Sequence, residues 1–283
     1  MTIPETMRCW ISGDEVGITH LKMQMAKVPT PKSGEVLVKV KAAALNFSDL
    51  LMIDGKYQVR PPRPFVPGQE VAGTIAAVPK GSAWHIGQRV AAKVYWGGFA
   101  DYAILHEDMI LPLPDEISFA QGAALPVVYT TSMVALHNTV RLQSDHRVLV
   151  HAAAGGVGLA AVEIAHAAGA KVIATAGSGE KLALAKKHGA SVTINYRDAD
   201  WKDQVKAATD GKGADIIVDP VGGDVAVQSL RCIARGGSLL IVGFASGKIA
   251  QLPSNLLPEP LLLFAGRHRL FRHDHCAARN VRQ

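Results

Sequence analysis

A glycine run between residues 148 and 158 has the residue types and spacing of a phosphate-binding turn. The segment VLVHAAAGGVG places Gly155, Gly156 and Gly158 directly after a short apolar stretch. A buried strand, such a run and then a helix form the arrangement in which dinucleotides bind. Gly155 would let the backbone turn tightly against the pyrophosphate, and Gly158 would let the helix pack close to the strand. Ala153 replaces the first glycine of the usual pattern.

The start of the predicted helix supplies the remaining phosphate-binding groups. Its backbone N–H groups lack partners within the helix, and the helix dipole favours negative charge there. We therefore expect cofactor contacts along Ala154, Gly155, Gly156, Val157 and Gly158. The alternative is a glycine turn that binds no ligand.

The second predicted strand indicates which dinucleotide is expected. Enzymes that use NAD usually place Asp or Glu about 20 residues after the glycines, where the carboxylate bonds the ribose 2′-hydroxyl. Here the strand ends in ATAGS (174–178), Lys181 follows, and Tyr196 ends the third strand. A 2′-phosphate needs cations and hydroxyl donors, and a carboxylate would repel it. We predict NADPH; the alternative is that Lys181 is only a solvated helix residue.

These residues lie in a region where strands and helices alternate with short connections. Such alternation is typical of a doubly wound parallel sheet. The predicted strands span 147–151, 171–176, 191–196, 214–219 and 237–244, and the predicted helices span 119–139, 155–169, 180–189, 201–211 and 225–234.

The first 120 residues have a different pattern. Strands are predicted over 34–45, 71–78 and 88–94, with glycines and prolines between them. Short strands separated by glycines and prolines indicate a compact, mainly β domain.

The composition limits the class of protein. The 283 residues are 48% hydrophobic and 19% charged, which suffices for two packed domains and argues against disorder. Cys9, Cys232 and Cys276 lie too far apart for a disulfide framework or a CxxC zinc site. No signal peptide and no run of ~18 apolar residues is present. We therefore expect a cytoplasmic protein that makes no membrane contact.

The motifs resemble, in their order and spacing, the zinc-free quinone oxidoreductase branch of the medium-chain dehydrogenases/reductases, which includes the zeta-crystallins. The resemblance covers residues 30–257 and rests on stretches such as AAALNFSDLLMIDGKY, PFVPGQEVAG, HAAAGGVGLAA and DPVGGD. It implies an α/β protein with a β-rich GroES-like domain (1–120) and a Rossmann NADPH-binding domain (121–257).

The resemblance also implies roles for individual residues. Asn46 would lie beside the nicotinamide, and Tyr57 resembles the active-site tyrosine, although it could equally be a gatekeeping aromatic. Lys181 and Tyr196 would grip the 2′-phosphate. The other expected cofactor contacts are Thr131, Ser178, Gly243, Phe244 and Ser246.

No metal is expected. The zinc-dependent relatives carry a cysteine and a histidine where this chain has Leu45 and Gln69. A quinone or conjugated enone accepts hydride readily without a Lewis acid, so we predict such an acceptor; the sequence does not choose between quinones, 2-alkenals and other enones. Asp49 is expected to be a hydrogen-bond acceptor at a helix start. His151 is expected to be packed or bonded to backbone.

Residues 258–283 lose the regular pattern and are predicted to form an atypical, poorly ordered tail. We expect the sheet to keep five parallel strands and to lack its last strand. A family-type homodimer would then be weakened. The tail sequence His273-Asp-His275-Cys276 contains ligand types, but no partner cluster supports a metal site. Two alternatives stay open, a dinucleotide-binding protein without turnover and, less favoured, an RNA-binding protein; no aromatic RNA-binding motif is present, so nucleic acid is not expected.

Overall fold

A computed structural model describes residues 2–253 and the backbone of residues 262–265. The described chain forms two compact units. The first comprises residues up to Ala44 together with Met52–Ala120, and the second comprises Leu45–Leu51 together with residues 121–265. In the described residues, no helix is both long and apolar enough to cross a membrane.

The first unit contains a five-stranded antiparallel sheet and a separate two-stranded ribbon. The sheet order is β6-β3-β4-β5-β7, and the ribbon pairs β1 with β2. Alternate apolar side chains of the sheet, such as Val36 and Val38, form its core. The strands are β1 (Thr6–Ile11), β2 (Lys22–Lys27), β3 (Glu35–Ala43), β4 (Glu70–Ala77), β5 (Arg89–Lys93), β6 (Tyr102–His106) and β7 (Ile110–Pro112).

Three strands match the predicted ones, whereas β1, β2, β6 and β7 were not predicted. Strand β2 has no buried residue, and its sequence KMQMAK alternates polar and apolar residues only over Lys22–Met25, which is too short a run to predict a strand. Its partner β1 does alternate, with Met7 and Cys9 buried. Backbone pairing with β1 therefore stabilises β2, and periodicity alone does not reveal it.

The second unit contains a six-stranded parallel sheet in the order β10-β9-β8-β11-β12-β13. Its strands are β8 (Arg147–Val150), β9 (Lys171–Ala176), β10 (Val192–Asn195), β11 (Ala214–Asp219), β12 (Ile233–Ile241) and β13 (Leu262–Ala265). The α-helices of the described chain are α1 (Phe47–Ile53), α2 (Phe119–Ala123), α3 (Val128–Met133), α4 (Gly156–Ala167), α5 (Gly179–Lys187), α6 (Trp201–Ala208) and α7 (Gly223–Ser229).

Apolar side chains cover both faces of this sheet. In β8, Val148 and Val150 join one core cluster, and Leu149 points to the opposite face and joins another. A parallel strand that is buried on both sides has a continuous apolar sequence, as β8 does. The predicted Rossmann-type α/β fold is confirmed.

Two predictions about this unit are wrong. The helix predicted over 225–234 ends at Ser229, and Ile233 already pairs with Ala214 as the start of β12. The sheet also does not end at five strands, because Leu262–Ala265 pairs in parallel with Ser238–Ile241. The four-residue sequence LLFA is too short to show a period. Residues 258–261 and 266–283 of the predicted tail lie outside the described residues.

Candidate functional site

The turn from β8 into α4 is closed by contacts between backbone atoms. A Cβ atom on Gly158 would overlap the carbonyl oxygen of Ala152 and lie 2.9 Å from Cα of Ala153. The N–H of Gly155 donates to the Ala152 oxygen at 2.8 Å, which tightens the same turn. Gly158 therefore allows α4 to pack closely against the turn that follows β8.

The strained position of this turn is not the one that the glycine pattern suggested. Ala152 has φ 45°, in the left-handed region that favours glycine. Gly155 has φ −82°, an ordinary value for any residue. Ala152, rather than Ala153 or Gly155, therefore occupies the position where the backbone itself would prefer glycine.

The first turn of α4 presents backbone donors. Gly155 precedes the helix, and no described side chain caps it. The N–H groups of Gly156, Val157 and Gly158 fall in the first turn, where a helix offers them no carbonyl partner. These groups and the helix dipole form an arrangement suited to a pyrophosphate.

Helix α3 packs against this first turn. A Cβ atom on Gly156 would lie 3.0 Å from Cγ1 of Val128, so α3 adjoins the glycine run. The hydroxyl of Ser132 donates to the carbonyl oxygen of Val157 at 3.1 Å. Thr131 lies on the same helix, half-buried, and its hydroxyl donates to the Val127 oxygen at 2.7 Å.

The next turn along the edge, from β9 into α5, is bounded by side chains. A Cβ atom on Gly177 would lie 2.9 Å from the Tyr196 hydroxyl and 3.2 Å from Nε of Arg197. Ser178 caps α5, and its hydroxyl oxygen accepts the N–H of Lys181. Tyr196 and Arg197 thus lie at the end of β9, where an NAD enzyme would place a carboxylate.

Arg197 is a candidate that the sequence analysis missed. It is exposed and lies just beyond Tyr196, in the turn after β10. In a turn the side-chain direction has no period, so the sequence pattern could not place it. The available signal was its adjacency to Tyr196.

The turns after β11 and β12 pack against each other. A Cβ atom on Gly243 would lie 3.1 Å from the Pro220 oxygen, and one on Gly222 would lie 2.8 Å from Cδ1 of Phe244. A Cβ atom on Gly223 would lie 3.2 Å from the hydroxyl oxygen of Ser246, in the same pair of turns.

Asp219 holds the first of these two turns together. Its Oδ1 accepts the N–H groups of Val221 and Gly222 at 2.7 and 3.0 Å. Burial raises the pKa of this carboxyl group, because the charged form is poorly solvated there, although the two N–H donors act in the opposite direction.

His151 lies at the base of the β8 turn, fully buried. Its Nε2 is 2.8 Å from the Ser229 hydroxyl and its Nδ1 is 2.7 Å from the Thr175 hydroxyl. The Ser229 hydroxyl donates to the Val225 oxygen, so it accepts from Nε2–H, and Thr175 donates to Nδ1. Burial lowers the pKa of His151 to about 3. The residue is packed as predicted, but its partners are side chains rather than backbone.

Asn46 lies immediately before α1 and is half-buried. Its backbone N–H donates to Oδ2 of Asp49 at 2.8 Å, and its carbonyl oxygen accepts the Asp49 N–H at 3.0 Å. This reciprocal pair resembles a capping box. Asp49 is therefore a helix-start acceptor, as predicted, and it fixes the backbone that carries Asn46.

Tyr57 belongs to the first unit. It is half-buried in a bend that follows α1, two residues after Gly55, which has φ 68°. The structure assigns it to an irregular segment, and its role stays a prediction.

The cofactor residues predicted in the second unit beyond residue 150 lie on turns or helix starts at the carboxyl ends of the parallel strands. Strand β8 lies between β9 and β11, so the strand order reverses direction around it. Ligands of doubly wound sheets bind at such a point. Among the described residues, no group of three His, Cys, Asp or Glu side chains could hold a metal ion. His273, His275 and Cys276 lie outside them.

Two family models match the chain. The model described as the alcohol dehydrogenase GroES-like domain matches residues 32–115, and the model described as zinc-binding dehydrogenase matches residues 156–269. The second match extends past residue 257, where the sequence analysis ended the resemblance.

Similar proteins and structures agree with these models. A quinone oxidoreductase-like protein 2 homolog from Nematostella vectensis is 43% identical over 80% of this chain and 62% of its own length. The Mus musculus quinone oxidoreductase is 39% identical over 79% of this chain and 69% of its own length. The Thermus thermophilus quinone oxidoreductase, solved also with NADPH, superposes with a TM-score of 0.77 at 33% identity, covering 92% of this chain and 80% of that one.

An N-terminal GroES-like domain followed by a Rossmann-type sheet defines the medium-chain dehydrogenase/reductase class. Within that class, the chain belongs to the zinc-free quinone oxidoreductase family. It spans less than two thirds of the length of the first relatives that it matches, such as the Nematostella protein.

Proposed function

We propose that the chain binds NADPH at the carboxyl edge of its parallel sheet and reduces a quinone or a conjugated enone. The observation that carries this proposal is the pair of side chains beside Gly177, at the end of β9. The Tyr196 hydroxyl and the Arg197 guanidinium adjoin Gly177, and residues 176–179 include no carboxylate, the nearest along the chain being Glu180 in the first turn of α5. A 2′-phosphate fits this chemistry, since it needs cations and hydroxyl donors.

Lys181 completes the proposed 2′-phosphate site. It is exposed in the first turn of α5, and the Ser178 cap fixes its backbone. The positive end of the helix dipole adds to its charge. The pyrophosphate would bind at the first turn of α4, one strand away.

The bound dinucleotide would supply the hydride, and the chain would orient the acceptor and exclude water. We assign to Asn46 the orientation of the nicotinamide carboxamide, because the Asp49 carboxylate holds its backbone. We assign to Tyr57 a hydrogen bond to the acceptor oxygen, with a gatekeeping aromatic as the alternative. Leu45 and Gln69 cannot act as the metal ligands of a zinc dehydrogenase.

The cofactor part is tested by comparing NADPH and NADH affinity. NADPH should bind the parent chain at least ~10-fold more tightly, which corresponds to about 1.4 kcal/mol. Lys181→Ala should remove most of this preference. Lys186→Ala, an equal loss of charge in the last turn of α5, should retain it. Equal affinities of the parent for the two cofactors would refute the proposal.

The reaction is tested by mixing the NADPH-bound chain with an ortho-quinone and with a 2-alkenal, each with and without a chelator. We expect NADPH oxidation that the chelator does not reduce. Tight binding without oxidation would instead identify a dinucleotide-binding protein without reductase activity. Oxidation by the alkenal alone would identify an enoyl or 2-alkenal reductase.

A further inference from the structure

Three cations converge on one recess of the second unit. Arg197, Lys202 and Arg231 line a cavity of about 470 Å³, and Asp198 is the acid in its lining. Tyr196 and Gln228 also border it. We call this cavity the cationic recess.

Neutral groups, rather than carboxylates, hold its lysine in place. Nζ of Lys202 donates to the Ala199 oxygen and to Oε1 of Gln228, each at 3.3 Å. The same Oε1 accepts Nε1–H of the buried Trp201 at 3.1 Å. Lys202 therefore stays inside the recess with its charge uncompensated by these partners.

The two arginines have no close acidic partner either. Among the described residues, none of the ion pairs includes Arg197, Lys202 or Arg231, although Asp198 lies in the same lining. Like charges that share a concave surface repel each other, and a multivalent anion relieves that repulsion. Trp201 begins α6, so the positive end of that helix dipole acts in the same direction, although Asp200 before the helix and Asp203 in its first turn offset part of it. The chemistry of the recess thus fits a phosphate group.

Arg197 borders a second position as well. Its Nε lies 3.2 Å from the place of a Cβ atom on Gly177, at the end of β9. One guanidinium therefore borders both the cationic recess and the position proposed for the 2′-phosphate.

We propose that the cationic recess binds a phosphate dianion, free or as a phosphomonoester, and that this anion competes with NADPH for Arg197. The competition rests on the proposed function, whereas phosphate binding itself does not. Because two linked sites affect each other equally, NADPH should weaken phosphate binding by the same factor. NADH has no 2′-phosphate, so its affinity for the chain should not change when phosphate is added.

Phosphate binding is measured directly on the cofactor-free full chain by phosphorus NMR and calorimetry, with inorganic phosphate and with glycerol phosphate as probes. Affinity for either probe supports the recess, and the tighter probe shows whether the free ion or the ester is preferred. Arg231→Gln should weaken the binding on the order of tenfold. Arg235→Gln removes the same charge from an exposed position of strand β12, outside the recess, and should leave phosphate binding unchanged. Lys202→Gln serves as a second recess variant.

Competition is measured as the affinity for NADPH with and without saturating phosphate, at constant ionic strength because salt alone screens charges. The parent and Arg235→Gln should lose about fivefold in NADPH affinity, a coupling at the low end of the usual range. Arg231→Gln should lose less than twofold, and NADH affinity should not respond in any variant.

Three results would overturn the proposal. The first is no phosphate binding to the cofactor-free parent. The second is equal weakening by Arg231→Gln and Arg235→Gln, which would indicate general charge attraction. The third is binding that Lys181→Ala abolishes and Arg231→Gln spares, which would place the anion at the 2′-phosphate position alone. If NADPH shows no preference over NADH, the proposed function and the competition both fail, but direct phosphate titration still decides the recess.

Discussion

Two strand-to-helix turns leave the same edge of the second unit's sheet, and they are built differently. The β8 turn is bounded by backbone, because Gly158 faces the carbonyl oxygen of Ala152 and Cα of Ala153. The β9 turn is bounded by side chains, because Gly177 faces Tyr196 and Arg197. Backbone has almost no freedom to move in a packed sheet, whereas side chains can change rotamer. The β8 turn should therefore determine the stability of the unit and the binding of both NADPH and NADH. The β9 turn should determine only the preference between these two cofactors.

Gly158→Ala tests the backbone-bounded turn and should have the largest effect. The added methyl group overlaps backbone atoms, so α4 must move away from the β8 turn. We expect a loss of about 3 kcal/mol in the free energy of unfolding and a loss of both NADPH and NADH binding. Urea denaturation and fluorescence titration measure the two effects.

Gly179→Ala is the matched control. This glycine is exposed at the start of α5, and a Cβ atom there would contact nothing within 4 Å. The control should be at least as stable as the parent, since alanine suits a helix better than glycine, and it should retain the cofactor affinity of the parent. If Gly158→Ala behaved like the control, the β8 turn would be no more rigid than the β9 turn.

The buried histidine beneath the β8 turn predicts a pH dependence. The pKa of His151 is lowered to about 3 in the folded chain, while the unfolded chain protonates near its ordinary value of 6.5. The unfolded state thus binds the extra proton first, and stability falls as the pH falls from about 6.5 toward 3. Between pH ~7.5 and ~5, His151 should account for about 2 kcal/mol of lost stability. Urea titrations at these two pH values measure it.

His151→Gln should lose stability at neutral pH and should show a smaller decline on acidification. The carboxyl groups of Asp101, Glu163 and Asp215, whose pKa values are lowered, affect stability only at still lower pH, since their ordinary values are 4.5 or below. An unchanged pH slope in the variant would show that His151 is solvated in the folded chain.

The sequence predicted the β8 turn better than the β9 turn. The glycine run determined the strand, the turn and the packing role of Gly158, since those follow from steric rules along a short stretch of chain. The left-handed backbone at Ala152 was not predicted, because its φ depends on how α4 and β8 meet. Arg197 was missed, since its approach to Gly177 joins residues from two separate turns. Strand β13 was missed because its pairing with β12, rather than any pattern in its own four residues, makes it a strand.

Gly177→Ala tests the side-chain-bounded turn. The added methyl group would lie 2.9 Å from the Tyr196 hydroxyl and 3.2 Å from Nε of Arg197, and both groups can shift. We expect NADPH affinity to fall about tenfold, or about 1.4 kcal/mol, with NADH affinity and unfolding free energy little changed. Equal losses for the two cofactors would contradict the separation of roles between the turns.

Ala152→Gly should have the smallest effect, and its sign is informative. Alanine at φ 45° costs about 1 kcal/mol relative to glycine, which adopts this conformation freely. Glycine also gives the unfolded chain more freedom, and that cancels roughly half of the gain. We therefore expect a net stabilisation of about 0.5 kcal/mol, measured by urea denaturation. Ala183→Gly, on the exposed face of α5, should instead destabilise by about 1 kcal/mol, because the helix is an ordinary one. If both substitutions destabilised equally, the β8 turn would hold Ala152 without strain, and its rigidity would come from Gly158 alone.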